Sequence, residues 1–260
     1  MVIGGGPAGL KAAAVAAERG HDVDLHEREP RTGGQARLAQ LLPHRTEFGG
    51  IITNLTHEAE RHGASIHRRS DVTRETIVEA KPDAVILATG SRPHRPPLEG
   101  EAAQLLFAQD VLQGARTGAR VVIYDWLADW IGAGIAEKLA SEGAHVRLAV
   151  NGVCAAANIQ NYIRDEANAR LFKLGVEVLP WMRLYGADGH TTYFLHTAAR
   201  EPVVLEDVDT LVLACPNAPV DGLASEVRNL GIELHLIGDC LSPRTAEEAV
   251  YEGLKAGVAV

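Results

Sequence analysis

The chain has 260 residues, enough for one large or two modest domains, and the sequence reads as two. Its formal net charge of −9, from 34 acidic against 25 basic residues, lacks the basic face that phosphate-backbone binding needs, so no nucleic-acid partner is expected. Cys154, Cys215 and Cys240 are isolated and form no redox, zinc or iron–sulfur motif, and no apolar run is long enough to span a membrane, so the expectation is a soluble, cytoplasmic protein with no metal site of its own.

Val2-Ile3 reads as the end of a strand, followed by Gly4, Gly6 and Gly9 at G-x-G-x-x-G spacing and an alanine-rich helix from Leu10 to Arg19. In that context the first glycine permits a tight turn, the second lets a pyrophosphate approach the backbone, and the third lets the helix pack closely on the strand. Pro7 and Ala8 lie inside the same turn. A second strand, Asp22 to His26, ends in Glu27, whose carboxylate suits the ribose hydroxyls of an adenosine and disfavours a 2′-phosphate. Arg28 follows it. The first strand is short against the usual five or six residues or so, which points either to a truncated chain or to an edge completed by a partner subunit.

Gly33 and Gly34, in Pro30-Arg31-Thr32-Gly33-Gly34-Gln35, either bring the chain close to a ligand or serve a plain turn. His57-Glu58-Ala59-Glu60-Arg61-His62 superficially resembles a zinc-binding motif, but histidines five apart do not share a helical face as i, i+4 ligands do. An apolar strand beginning near Asp83 then delivers Ala88-Thr89-Gly90, and the proline-rich stretch Pro93 to Pro97 reads as a crossing into a second domain.

There a new strand, Arg120 to Tyr124, leads to a helix from Ile131 to Glu142 and a strand from His145 to Val150. Where a nicotinamide-binding turn needs glycine, this one reads Asp125-Trp126-Leu127-Ala128-Asp129-Trp130, so a pyrophosphate meets bulk and like charge together. Gly132 and Gly134 come late for the turn and suit close helix packing, with a shifted phosphate loop as the alternative. The tryptophans Trp126, Trp130 and Trp181 read as packing or interface residues rather than a groove. A last strand, Glu233 to Cys240, carries Gly238 and Asp239, and Pro243 and Thr245 open a final helix that returns to the first domain.

GGGPAGL, the strand-end Glu27, GGQ, ATGSRP and IGDC at 237–240 together resemble the two-dinucleotide-binding-domain flavoproteins, the glutathione-reductase-like superfamily. The segments GGQARLAQLLPHRTEFGGIITNL and IGDCLSPRTAEEAVYEG are similar, more specifically, to the C-terminal half of NADH:flavin oxidoreductases of the trimethylamine dehydrogenase, N-demethylase and 2,4-dienoyl-CoA reductase type. The resemblance implies an α/β fold of two Rossmann-like domains, the second inserted into the first. Residues 1–95 plus 222–260 would bind FAD or ADP, and 96–221 would be NAD(P)-binding-like with a degenerate glycine motif. It implies FAD contacts from Gly4, Gly6, Pro7, Ala8, Gly9, Glu27, Arg28, Gly34, Gln35, Ala88, Thr89, Gly90, Gly238 and Asp239. Asp239 would take the ribityl or pyrophosphate, and the N-terminus of the last helix would face the isoalloxazine.

Within that family the missing second turn points to the amine dehydrogenase and N-demethylase branch, with Asp125 structural. Such proteins carry an FMN-bearing TIM barrel and often an iron–sulfur cluster upstream, neither of which lies in these residues. The expected function is therefore a FAD-binding, electron-transferring module of a flavin-dependent oxidoreductase, working with an FMN-barrel region or subunit, a small-molecule redox substrate and an electron acceptor protein, in an oligomer. A structural ADP-binding domain and an NAD(P)H-dependent flavin reductase stand as alternatives. No catalytic residue is nominated.

Overall fold

The computed structural model describes residues 1–260. The chain divides into two compact units, 1–40 with 45–92 and 217–260, and 41–44 with 93–216.

In the first unit the order is β1 (Val2–Ile3), α1 (Pro7–Glu18), β2 (Asp24–Glu27), α2 (Ala36–Ala39), α3 (Phe48–Arg61), β3 (Ser65–Arg68), α4 (Arg74–Ala80), β4 (Ala84–Leu87) and the two-residue β5 (Ser91–Arg92). The second unit follows with β6 (Glu99–Ala102), β7 (Leu105–Phe107), α5 (Ala108–Leu112), β8 (Arg120–Asp125), α6 (Trp130–Ser141), β9 (His145–Val150), α7 (Asn161–Lys173) and β10 (Glu177–Leu179). It continues through β11 (Met182–Gly189), β12 (Thr191–His196), β13 (Glu201–Leu205) and β14 (Thr210–Ala214). The chain then returns to the first unit as β15 (Ala218–Pro219), α8 (Gly222–Asn229), β16 (Glu233–Leu236), a 3₁₀ turn at Gly238–Cys240 and α9 (Ala246–Ala259).

The first unit is built on a parallel sheet in the order β16-β4-β1-β2-β3. Its central strand is short, yet Val2 and Ile3 pair on both sides, with Leu25 and His26 of β2 and with Ile86 and Leu87 of β4. A strand covered on both faces buries an unbroken apolar run, and Ala84-Val85-Ile86-Leu87 is one. One face is covered by α1, whose alanines 12, 13, 14 and 16 are buried with Leu10 and Leu25. Small side chains let α9 lie close along α1. Ile77 and Val227, from α4 and α8, fill the opposite face with Val85 and Leu87.

The second unit repeats the parallel arrangement as β10-β9-β8-β14-β7, and adds a four-stranded sheet, β13-β12-β11-β6. Tyr124, Leu184, Phe194 and Leu211 form the core between these two sheets. Leu42, from the 41–44 segment, is buried with Ile135, Leu139 and Leu148 in this unit's other core. The sequence reading placed the crossings at 95/96 and 221/222. The contacts divide instead at 92/93 and 216/217, because β5 and β15 pair with each other in the first unit.

Candidate dinucleotide site

The site is built on the end of β1 and the N-terminus of α1. Gly4 leaves the strand at φ 110°, and a Cβ placed there would lie 2.2 Å from the Ala88 carbonyl oxygen, so only glycine makes this turn. Gly9, one turn into α1, would put a Cβ 1.9 Å from the Gly4 carbonyl oxygen, which seats the helix directly on the strand end. Gly6 differs: nothing lies within 4 Å of its added Cβ. It is the N-cap of α1, with Pro7 in the first turn, no acidic residue beside it and no side chain capping the helix. An uncapped helix start with open space above it is an anion seat, because its orphan N–H groups and the positive end of the helix dipole face outward.

Glu27, at the end of β2, is buried. One carboxylate oxygen accepts from Gly5 N at 2.7 Å and the other from Glu29 N at 2.8 Å. Each oxygen keeps a second acceptor direction, so the side chain both clamps the glycine turn and retains capacity for a hydroxyl. Arg28 stands apart, exposed, with its guanidinium 3.8 Å from Glu29. Gly33 N donates to Gly5 O at 2.7 Å, and a Cβ on Gly34 would come within 3.3 Å of Gly6 Cα, so the glycine pair runs against the turn. Gln35 follows and donates through its side chain to Ser91 O at 3.2 Å. Ala88 hydrogen-bonds back to Ile3 O at 2.8 Å, the Thr89 hydroxyl donates to Val220 O, and Gly90 turns the chain at φ 76°.

Gly238 lies against the first turn of α1, where its Cβ would meet that of Ala8 at 2.8 Å. Its N–H donates to Glu252 of α9 at 2.7 Å. Asp239 accepts from the Ser91 hydroxyl at 2.7 Å and from Arg244 N at 3.3 Å. Thus Gly4, Gly6, Pro7, Ala8, Gly9, Glu27, Gly34, Ala88, Thr89 and Gly238 meet at the N-terminal end of α1, while Gln35 and Asp239 are joined to each other through Ser91. The N-terminus of α9, which the resemblance turned toward the isoalloxazine, is closed by its own capping box between Thr245 and Glu248. Sequence reasoning missed Ser91, Asn217, Glu252 and Gly5. Two of them had a local signal, Gly5 inside the GGGPAGL turn and Ser91 as the residue after Ala88-Thr89-Gly90.

The corresponding turn in the second unit is filled. Asp125 at the end of β8 is fully buried, and one of its oxygens accepts from Ala128 N at 2.9 Å while the other has no hydrogen-bond partner. Burial, reinforced by the charge of Asp129, pushes the Asp125 carboxyl up to about 8. Asp129 caps α6, accepting from Ile131 N at 2.8 Å. Ala128 adopts φ 49° and is pinned from the other side by Asn158, whose N–H donates to Ala128 O at 2.9 Å. Gly132 packs α6 onto Asp125, since its Cβ would lie 2.2 Å from the Asp125 carboxyl carbon. The Cys215 thiol is pushed up to about 12 by burial and by Asp125, away from the thiolate form. Trp126 and Trp181, expected as packing residues, are each 39% exposed, and Trp126 rests edge-on against Tyr124 at 6.1 Å.

Two parallel sheets, each with a strand–turn–helix unit at its centre, define the two-dinucleotide-binding-domain fold of the flavoproteins. The chain belongs to the pyridine nucleotide-disulphide oxidoreductase family, which it matches over residues 1–253. It is 27% identical over 297 residues to N,N-dimethylglycine/sarcosine dehydrogenase of Chromohalobacter salexigens, covering 98% of this chain and 43% of that protein. It is 30% identical over 273 residues to NADH oxidase of Thermoanaerobacter brockii, covering 98% of this chain and 40% of that protein. Histamine dehydrogenase from Rhizobium sp. 4-9 superposes with a TM-score of 0.92 over 98% of this chain and 43% of its own, at 22% identity, a likeness of fold. The chain therefore spans less than half the length of these relatives.

Family membership implies a flavin, FAD, and the first unit fits it: the α1 start is open and uncapped, and the buried Glu27 retains acceptor capacity. The second unit's turn does not fit a dinucleotide, because carboxylates already engage its N–H groups. No helix is long and apolar enough to cross a membrane.

Proposed function

We propose that this chain is the FAD-binding module of a flavin-dependent oxidoreductase that acts on amines or N-methyl groups. The observation that carries the reading is the contrast between two helix starts, α1 open and free of acid, α6 filled by Asp125 and Asp129. One dinucleotide is bound, not two. Its pyrophosphate sits over Gly6, Pro7 and Ala8 with Gly4 and Gly9 shaping the turn. Glu27 takes the adenosine ribose beside Arg28, and Gly34, Gln35 and the Ala88-Thr89-Gly90 turn flank the ligand. Gly238 and Asp239 take the flavin side.

When bound, the isoalloxazine supplies the redox centre. This chain's residues bind and orient it, and no catalytic residue is assigned among them. Residues 1–40, 45–92 and 217–260 are the FAD domain, and 41–44 with 93–216 are a nicotinamide-type domain that holds no dinucleotide. The substrate would be a small amine, and an FMN-bearing barrel region or subunit, with an iron–sulfur cluster, would supply its oxidation chemistry where such a region accompanies this chain. Reducing equivalents leave to an acceptor protein in the cytoplasm, and the assembly is oligomeric.

The test is to purify the chain, denature it and identify the released small molecule by absorbance and mass. FAD supports the redox reading. ADP without flavin absorbance would leave Glu27 and the glycine turn correctly placed but make the domain structural, since those residues address only the adenosine half that the two ligands share.

A further inference from the structure

Asp239 has a carboxylate whose plane needs fixing. The terminal torsion of an aspartate is broad, so an unrestrained carboxylate presents its lone pairs to a ligand only part of the time. Two groups restrain this one: Arg244 N, at a long 3.3 Å, and the Ser91 hydroxyl, at 2.7 Å. The serine bond is the shorter and spans 148 residues of sequence, so it ties β5 to the segment after β16.

Ser91 has one proton to give. An ionised carboxylate only accepts, so that proton points at Asp239 and the serine oxygen must itself accept from its other neighbour. That neighbour is Asn217, whose side-chain nitrogen donates to Ser91 Oγ at 3.1 Å. The chain Asn217 to Ser91 to Asp239 therefore has one direction, set by the amide. Its backbone is held as firmly as its side chains. Ser91 and Arg92 pair antiparallel with Pro219 and Ala218, and the Gln35 side chain donates to Ser91 O at 3.2 Å. All three members are half-buried, where a hydrogen bond to a charged group is less easily replaced by water.

We infer that Ser91 is a positioning residue for flavin binding: with its hydroxyl oriented by Asn217, it holds the Asp239 carboxylate in the one rotamer that presents its remaining acceptors to the hydroxyls of the flavin side chain. This rests on the placement of FAD proposed above, with Asp239 on the flavin half. It adds that the Asp239 contact depends on two residues, 91 and 217, that act through it. A supporting group of this kind governs how much of the ligand's binding energy its partner delivers.

FAD and ADP share the adenosine diphosphate and differ in the ribityl flavin, so their ratio of affinities isolates Asp239. The experiment measures calorimetric affinities for FAD and for ADP, and thermal midpoints, on the stripped full chain and on Ser91→Ala, Ser91→Thr, Asp239→Ala and the double variant Ser91→Ala/Asp239→Ala. Ser91→Ala is expected to lose about tenfold in FAD affinity, the scale of one hydrogen bond to a charged group, while ADP affinity and the thermal midpoint hold. Ser91→Thr keeps the hydroxyl and recovers most of the loss. Because Ser91 acts only through Asp239, the double variant binds FAD no more weakly than Asp239→Ala alone.

Unchanged FAD affinity in Ser91→Ala, with a loss in Asp239→Ala, overturns the inference and leaves the FAD placement standing. Equal losses for FAD and ADP in Ser91→Ala also overturn it, since they mark a general structural role. If Asp239→Ala itself fails to separate FAD from ADP, the placement of the flavin half is wrong and the inference falls with it.

Discussion

Glu27 carries two loads at once, and the geometry separates them. Its oxygens hold Gly5 N and Glu29 N, so removal leaves two backbone donors short of an acceptor and, on the placement proposed above, the ribose short of one. Glu27→Ala should therefore lower the thermal midpoint and weaken ADP and FAD alike by about 1–3 kcal/mol, as losing a charged hydrogen bond does. A lower midpoint with unchanged nucleotide affinity, read by calorimetry, would make Glu27 a clamp on the turn and nothing more. Asp125 shows the opposite economy, a carboxyl held neutral by burial and by Asp129, with its pKa near 8 against the ordinary 3.8. Between those two values the folded chain keeps a proton that the unfolded chain has lost, so this residue's contribution to stability is full below the lower value and falls as pH rises to the upper one. Urea midpoints should decline across that window in the wild type and decline less in Asp125→Asn, which cannot ionise. Equal slopes would mean that Asp125 is ionised in the folded chain at neutral pH.

At the scale of elements, α9 supports the α1 start by packing against it. Glu252 holds Gly238 N, and one residue further on Gly253 lets the helix rest on α1, where a Cβ would come 2.3 Å from the Ala8 carbonyl oxygen. Alanine has the better helix propensity by about 1 kcal/mol, but the atom it meets is backbone that cannot rotate away, and overpacking costs about 1–3 kcal/mol. Gly253→Ala should thus show no net gain in a urea melt. It should also bind ADP more weakly, because α1 must shift and its first turn is the proposed phosphate seat. A stabilised variant with unchanged affinity would show that the two helices have slack. The same scale explains what could be read in advance. Gly4, Gly6, Gly9 and Glu27 sit in local patterns whose spacing is dictated by one turn and one strand, so the sequence displays them. Ser91, Asn217 and Asp239 meet across separations of 126 and 148 residues, and no local pattern encodes that. The antiparallel strands β11 to β13 were legible but unread: Met182 and Leu184 point inward and Arg183 and Tyr185 outward, a period of two that a search for βαβ units passes over. The 41–44 segment could not be read at all, since Leu42 belongs to the second unit only by what it packs against.

At the scale of the whole molecule, two units of one architecture have reached opposite states at the same position. Each has a parallel sheet whose central strand turns into a helix, β1 into α1 and β8 into α6. In the first the helix start is open, and in the second Asp125 and Asp129 accept from Ala128 N and Ile131 N. An entering pyrophosphate would have to displace both carboxylates from donors they already hold, force Asp125 to ionise or move inside a dry site, and break the Asn158 contacts that pin residues 127 and 128. Each of those steps costs, and an unpaired buried carboxylate alone costs several kcal/mol. The expected outcome of an NADH titration of the FAD-loaded chain is therefore no bleaching of the flavin on the timescale of enzyme turnover, whereas a chemical reductant bleaches it directly. Asp125→Gly, tried alongside, should still fail to be reduced by NADH, because Trp126, Leu127 and Asp129 remain in the turn and Asp129 still caps α6. Rapid bleaching of the wild type by NADH would require the 125–130 turn to open in solution or a phosphate to bind further along α6 near Gly132. The second route is closed by the same contact that makes Gly132 necessary, since the Asp125 carboxyl lies where even a methyl group on that residue would go.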